Sequence, residues 1–326
     1  MSRDKIYALI YSQYIGDAVG TRYEFKSSKR ATEQISKDMR DGFLPILGGG
    51  PFKLLPGACT DDTELSSVIF RSLLEKGTYD REDVAKRYIG WLASSPFDIG
   101  NTTIRALSQA KDYTTMVQNS AEQNMHSLSN GCLMRISPLA IYGLTVSDDH
   151  YLNIARENCR MTNPNELTQD AVAVYCTALK AALQGKTKRE IFDAACKVAT
   201  NPTIREILQD SLKRPEPVLT PSGDHVKTDS SNMGYCGIAI QNAFYELMNG
   251  TSFYESVVNI VKRGGDTDTV GAISSALLGV FYGFDAIPKK WVESVTMDNP
   301  RVKDYPEIDQ LNLYADVAKL IEKLKL

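Results

Sequence analysis

Histidine, tryptophan and paired cysteine are what this sequence has least of. Three histidines and two tryptophans occur in 326 residues. His126, His150 and His225 stand in unrelated polar settings, which read as surface or loop positions rather than catalytic bases. The six cysteines, at 59, 132, 159, 176, 196 and 236, share no C-x-x-C spacing, and most fall among apolar helical residues. That excludes a zinc cluster and a disulfide framework as expectations and points to buried thiols in a reducing, cytoplasmic setting. Excess charge is missing too: 37 Lys+Arg stand against 40 Asp+Glu, a formal net charge of -3. Such a chain has no general attraction for phosphate backbones, so nucleic acid is not an expected partner; a small anion held by local groups stays open. Long apolar runs are absent. The N-terminal one is broken by Ser12, Gln13 and Asp17 and makes a poor signal peptide. The apolar run 270–284 is too short to cross a bilayer, so no membrane partner is expected. No P-loop and no G-x-S-x-G elbow occurs, and Gly16–Gly20 lacks the dinucleotide-binding spacing.

What the sequence does have is helical periodicity. Apolar residues recur three or four apart, as at Ala171, Val174, Tyr175, Ala178, Leu179 and Ala182. The pattern predicts helices near 4–19, 62–76, 81–93, 100–111, 131–143, 148–158, 167–183, 187–199, 202–213, 234–249, 252–262, 269–283 and 305–325. Alternating runs that would signal strands are almost absent. Two irregular stretches, 42–62 and 216–234, are rich in glycine, proline and serine and read as loops. No composition break or repeat divides the chain. The expectation is an all-α fold in one compact domain over 1–326, and a monomer.

Two acidic clusters interrupt the periodicity, each where a loop runs into an apolar helix. The first is Thr60-Asp61-Asp62-Thr63-Glu64, the second Gly264-Gly265-Asp266-Thr267-Asp268-Thr269. Either alone is accounted for by capping, since Asp and Thr are favoured N-caps and a carboxylate in the first turn gains about 0.3–1 kcal/mol from the helix dipole. Capping needs one side chain per helix, however, and each cluster offers a surplus of carboxylates that repel unless a cation lies between them. The donors are all oxygen, which suits Mg²⁺, Mn²⁺ or Ca²⁺ better than Zn²⁺. An EF-hand fails, because Leu277 occupies the loop position that requires a bidentate glutamate. Two separated clusters converging on one place suit a binuclear centre.

These clusters, in order with GDAVGTRYEF, PFDIGNT, SNGCLMR and SSNMGY, make the chain resemble the ADP-ribosylglycohydrolases of the dinitrogenase-reductase-activating type over nearly its whole length. The resemblance implies an all-α fold with a central cleft holding two divalent cations, Mg²⁺ or Mn²⁺. It implies an enzyme that removes ADP-ribose from a modified protein side chain, typically arginine. It matches Thr60, Asp61, Asp62, Asp266, Asp268 and Thr269 to metal ligands. Asp98 and Glu24 match carboxylates acting on substrate or beside the metals, with Asp62 counted among the catalytic groups. Gly100, Asn101, Ser127, Asn130 and Gly131 match a cradle for diphosphate and ribose, and Tyr235 an aromatic near the adenosine. One departure stands out: where relatives carry a Thr-His pair, this chain has Thr162-Asn163. Asn163 can hydrogen-bond a ligand but cannot supply a proton.

Read without the resemblance, Asp98 is equally a helix cap, Glu24 a surface charge, Asn130-Gly131 a turn and Tyr235 a core aromatic. Two other functions compete with arginine-linked hydrolysis. One is hydrolysis of serine- or O-linked ADP-ribose, and the other a regulatory or immunity protein that grips an ADP-ribosylating toxin. Intact metal motifs favour an enzyme over a steric binder.

Overall fold

In a computed structural model, residues 3–296 and 299–326 are described. The chain begins with α1 (Asp4–Gly20), buried on nearly every side, and turns into a short strand β1 (Lys26–Ser27). Ser27 then caps α2 (Ser28–Asp38), its hydroxyl accepting from the Arg30 N–H at 3.4 Å. The irregular segment 39–60 leads into α3 (Asp61–Lys76), and Asp80 caps α4 (Arg81–Ala93) by accepting from the N–H groups of Glu82 and Asp83. Four short helices follow: α5 (Asn101–Leu107), α6 (Tyr113–Gln123), α7 (Gly131–Met134) and α8 (Leu139–Gly143). Then come α9 (Asp148–Arg160), α10 (Glu166–Leu183), α11 (Lys188–Val198) and α12 (Pro202–Ser211). A hairpin of β2 (Val218–Leu219) and β3 (His225–Val226) precedes α13 (Cys236–Asn249) and α14 (Phe253–Lys262). The chain closes with β4 (Gly264–Gly265), α15 (Thr267–Tyr282), α16 (Lys289–Ser294) and α17 (Leu313–Leu324).

The all-α architecture expected from periodicity is what forms. Strands among the described residues amount to two antiparallel pairs, β1 with β4 and β2 with β3. The departures are local and have physical causes. The expected helix 100–111 stops at Leu107, and 113–123 forms a separate helix behind a capping box of Asp112 and Thr115. The expected helix 131–143 is broken before Pro138, whose nitrogen has no hydrogen to give. Helix α2 was not expected because it buries only Ala31, Ile35 and Asp38, too thin a stripe to show in the pattern. The last helix begins at Leu313 rather than 305, after two 3₁₀ turns that each open on proline.

One continuous hydrophobic cluster runs from Ile6 to Leu324. Its axis is the pairing of α1 with α15, and small residues set how closely they approach. A Cβ on Gly16 would collide with the Gly271 carbonyl, and one on Gly20 with the Thr267 carbonyl. A Cβ on Gly279 would meet the Ser12 hydroxyl. This contact brings Asp17, at the end of α1, beside the start of α15. There the second acidic cluster lies.

Candidate metal centre

Four helix starts, those of α3, α5, α7 and α15, and one tight turn converge beside the α1–α15 contact. The Gly264-Gly265 pair makes this possible, because both residues have positive φ (72° and 78°), a region that side chains disfavour. A Cβ on Gly264 would strike the Lys26 carbonyl and one on Gly265 the Thr228 carbonyl. The two glycines pair with Ser27 and Lys26, and the Phe25 N–H donates to the Gly265 carbonyl at 2.8 Å. That ladder carries Glu24 to the second cluster. Carboxylate oxygens of Glu24, Asp266 and Asp268 all lie within 4.8 Å of one another.

The first cluster meets the second at Asp62. Its Oδ2 accepts from the Thr60 hydroxyl at 3.1 Å and from the Thr269 hydroxyl, 207 positions away, at 3.2 Å. Its Oδ1 is buried with no hydrogen-bond partner, and so is Oε2 of Glu24. Asp61 Oδ2 accepts from the Gly100 N–H at 3.4 Å, which ties α3 to the loop carrying Asp98. From the other side the Asn130 amide donates to Asp266 Oδ2 at 2.7 Å. Asn130 is itself held by a bond from its N–H to the Gly234 carbonyl and by the neighbouring pairing of Ser129 with Tyr235.

Beneath these groups sits Asp17, which lies in the quoted GDAVGTRYEF motif but is given no role at the site by the sequence reading. Its carboxylate accepts from the N–H and hydroxyl of both Thr60 and Thr63 at 2.6–3.1 Å, and from the Thr21 hydroxyl at 3.2 Å. The first turn of α3 is thus folded around it. The signal for Asp17 was an aspartate in an otherwise apolar helix, a position that demands buried partners.

The electrostatics are those of a site short of positive charge. Arg301 pairs with Glu64, its Nε 2.8 Å from Oε1, and Trp91 Nε1 donates to the same carboxylate at 2.6 Å. Among the described residues no ion pair reaches Asp17, Glu24, Asp61, Asp62, Asp98, Asp266 or Asp268. Burial first, then Asp266 and Asp98, pushes Glu24 up to about 9. Burial, then Asp17 and Asp266, pushes Asp98 up to about 7. Asp17 rises to about 6 through burial, against the bonds from Thr63 and Thr60 that pull it down. Asp61, Asp62 and Asp268 are raised well above the ordinary range, chiefly by burial and then by neighbouring carboxylates. Unpartnered buried oxygens and mutually repelling carboxylates are what a divalent cation would relieve, and the donor set is hard oxygen throughout. The residues fit the group.

A cavity of about 450 Å³ opens over the cluster. Glu24, Asp61, Asp62, Asp98, Asp266, Asp268 and Thr269 line its floor, and Gly100, Asn101, Asn130 and Gly131 its sides. Thr60 is not on its surface; it is fully buried, with its hydroxyl on Asp17 and Asp62. Ser127 and Tyr235 line an adjoining cavity of about 830 Å³, which meets the first at Ser129 and Gly234. Asn163 lies in neither. It is wholly buried, donates to the carbonyl and hydroxyl of Ser129 at 3.1 and 3.0 Å, and accepts from the Thr162 hydroxyl. Its amide holds the Ser129 loop, which lines both cavities. Phe25, Thr102, Ser129 and Met233, which stand inside the quoted motifs but are not singled out there as site residues, also line the first cavity, as does Thr103, which no motif contains. All three histidines are exposed.

Residues 1–324 match the family model described as ADP-ribosylglycohydrolase. A protein of Acanthamoeba polyphaga mimivirus named for ADP-ribosyl glycohydrolase activity is 31% identical over 91% of this chain and 93% of its own length. The ADP-ribosyl-dinitrogen reductase glycohydrolase of Rhodospirillum rubrum is 29% identical over 87% of each chain. An ADP-ribosylarginine hydrolase of Pseudomonas putida is 25% identical over 86% of this chain and 71% of its own. A solved structure titled as an ADP-ribosylglycohydrolase-related protein complex superposes with a TM-score of 0.71 at 26% identity, covering 99% of this chain and 98% of that one. With the two acidic motifs folded onto one another beneath a cavity, the chain belongs to the ADP-ribosylglycohydrolase family of hydrolases.

Proposed function

We propose that this protein hydrolyses the bond between ADP-ribose and a modified protein side chain, arginine first among the candidates, with two divalent cations, Mg²⁺ or Mn²⁺, held at the acidic cluster. The observation that carries the reading is the meeting of the two motifs at Asp62, one oxygen shared by Thr60 and Thr269 while the other has no partner. Arginine is favoured by the name of the Pseudomonas putida relative.

Asp61, Asp62, Asp266, Asp268 and Glu24 are the carboxylates that would hold the cations, with Thr60 and Thr269 as hydroxyl donors. Bound there, divalent cations supply positive charge that orients ribose hydroxyls and acidifies a water nucleophile. The chain's own groups do the rest. Breaking a glycosidic bond develops positive charge on the sugar, which the surrounding carboxylates favour. A guanidine leaves readily only if it is protonated, and Asp98, a carboxyl that burial and the neighbouring Asp17 and Asp266 raise in the cation-free protein, is the group placed to carry that proton. Asn101, Asn130, Thr102 and Ser129 offer amides and hydroxyls to the diphosphate and ribose along the cavity side. Asn163 holds the Ser129 part of that lining.

The test is incubation with peptides ADP-ribosylated on arginine or on serine, with and without Mg²⁺, read by mass spectrometry for free ADP-ribose. Release from arginine that EDTA abolishes is the expected result. Alanine at Asp61 or Asp268 should remove both metal uptake, read by calorimetry, and turnover. Release that survives EDTA would overturn the metal-dependent reading, and release from serine alone would overturn the arginine assignment.

A further inference from the structure

The acidic cavity continues in two directions. Past Ser129 and Gly234 it meets the large cavity of Tyr235, and past Glu24 and Phe25 it meets a smaller one of about 310 Å³ that also includes Arg22, Lys26, Gln34 and Pro51. Phe25 is thus part of a shared wall. It is 58% exposed and has φ 60°, a left-handed conformation that bulky residues rarely adopt. The bond from its N–H to Gly265 and the pairing of Lys26 with Gly265 hold it there. An exposed aromatic kept in an unfavourable backbone state beside a reactive cluster marks a place where position matters more than stability.

The two cations of the small cavity are differently employed. Arg22 is taken up by the scaffold: Nε and Nη2 donate to Asp38 at 2.6 and 3.0 Å, and Nη1 donates to the Gly48 carbonyl at 2.9 Å. Gln34 and Tyr23 complete the shell of Asp38. The far wall is fixed by Gly50, where a Cβ would collide with the Thr21 carbonyl. Lys26 donates to the Arg22 carbonyl at 2.8 Å and makes no ion pair among the described residues. An ammonium has three donors, so Lys26 is a cation with hydrogen bonds left to give.

A side chain bearing ADP-ribose has a nucleotide end and a polypeptide end, and the bond to be broken lies between them over the acidic cluster. The adenosine and diphosphate need the greater space, which lies on the Tyr235 side. Glu24 and Phe25 wall the other end, the side on which a polypeptide stays clear of the nucleotide. We infer that the small cavity receives the polypeptide flanking the modified residue, and that Lys26 selects segments with a carboxylate next to it. This rests on the proposed reaction, because that reaction fixes which end faces which cavity.

The test uses three peptides ADP-ribosylated on arginine, with Asp, Ser or Lys beside the modified residue, and free ADP-ribosyl-arginine as reference. With the Mg²⁺-loaded protein, kcat/KM relative to the reference should fall in the order Asp, Ser, Lys, by about two- to fivefold per step, the range of a partly exposed ion pair. Lys26→Glu should invert that order. Affinities of the same peptides for the Mg²⁺-loaded Asp98→Asn variant, measured by calorimetry, give a second reading that needs no turnover. Equal values for the three peptides, or an order untouched by Lys26→Glu, overturn the inference. If neither the peptides nor free ADP-ribosyl-arginine is hydrolysed yet the affinities keep the charge order, the proposed reaction fails and the subsite stands.

Discussion

Single carboxylates decide how this site is built, and Asp17 shows how. It touches neither cavity and yet gathers the N–H and hydroxyl groups of Thr60 and Thr63 on one carboxylate. Those bonds aim the first turn of α3, and with it Asp61 and Asp62, at Asp266 and Asp268. A residue acting one step behind the ligands commonly changes metal affinity by 10–100-fold when altered. Asp17→Asn keeps the shape but loses the charge and one acceptor. Calorimetric titration with Mn²⁺ should therefore show binding weakened by about tenfold or more, with the fold intact by circular dichroism. Unchanged affinity would show that α3 is oriented without it. Arg301 works similarly from the C-terminal side. It joins Glu64 of α3 to the Ser94 hydroxyl and the Ser95 carbonyl, and so holds the loop that ends in Asp98. Nothing in the spacing of Arg301, 237 positions from Glu64, foretells that contact.

Among the elements, the crossing of α1 and α15 sets the distance between the two acidic clusters. Asp17 sits on the last turn of α1 and Asp268 in the first turn of α15, so any change in their separation is felt at the metal site. Gly271 is the sensitive point. Its added methyl would press on the Gly16 carbonyl, backbone that cannot move aside as a side chain can. Gly271→Ala should destabilise by about 1–3 kcal/mol, the usual range for overpacking, and should weaken Mn²⁺ binding with it. Thermal unfolding with and without the ion measures both. Gly185 is the control: a Cβ there would meet nothing, but its φ of 81° disfavours a side chain, so Gly185→Ala is expected to lower stability and keep metal binding. The short helices teach a different lesson. Helix α6 buries only Met116 and Ser120, and its existence depends on the Asp112 capping box more than on an apolar face. Periodicity reads long buried helices well and such short capped ones poorly.

Over the whole molecule, the cluster makes stability depend on both pH and cations. The raised carboxyls, Asp17 at about 6, Asp98 at about 7 and Glu24 at about 9, bind protons in the folded chain that the unfolded chain has already released. Between the ordinary carboxyl range near 4 and those raised values the folded state therefore holds more protons, and stability falls as pH rises. The metal-free protein should melt progressively lower from pH 5 to pH 9 in a calorimeter. Mg²⁺ or Mn²⁺ should reverse this, since an ion that binds the folded state at a hundred times its Kd adds about 2.7 kcal/mol. The gain should be larger at pH 8 than at pH 5, where protons compete for the same oxygens. A melting temperature that rises with pH in EDTA would contradict the burial of uncompensated carboxylates. At this scale no helix among the described residues is long and apolar enough to cross a membrane.

The linear order of residues determined most of the helices, because an apolar repeat of 3.6 fits one local geometry, and it determined the chemistry on offer, because oxygen-rich clusters beside glycine leave few uses for so many like charges. It also carried the family, through TDDT and GGDTDT. Tertiary structure alone decided which groups share a space. Glu24 reaches Asp266 through a two-residue ladder with no pattern long enough to notice. Asn163 turns its amide to Ser129, and Asp17 lies beneath the cluster rather than at the surface of α1. Such contacts join positions tens to hundreds of residues apart. They arise from the packing of helix on helix, which local periodicity does not encode.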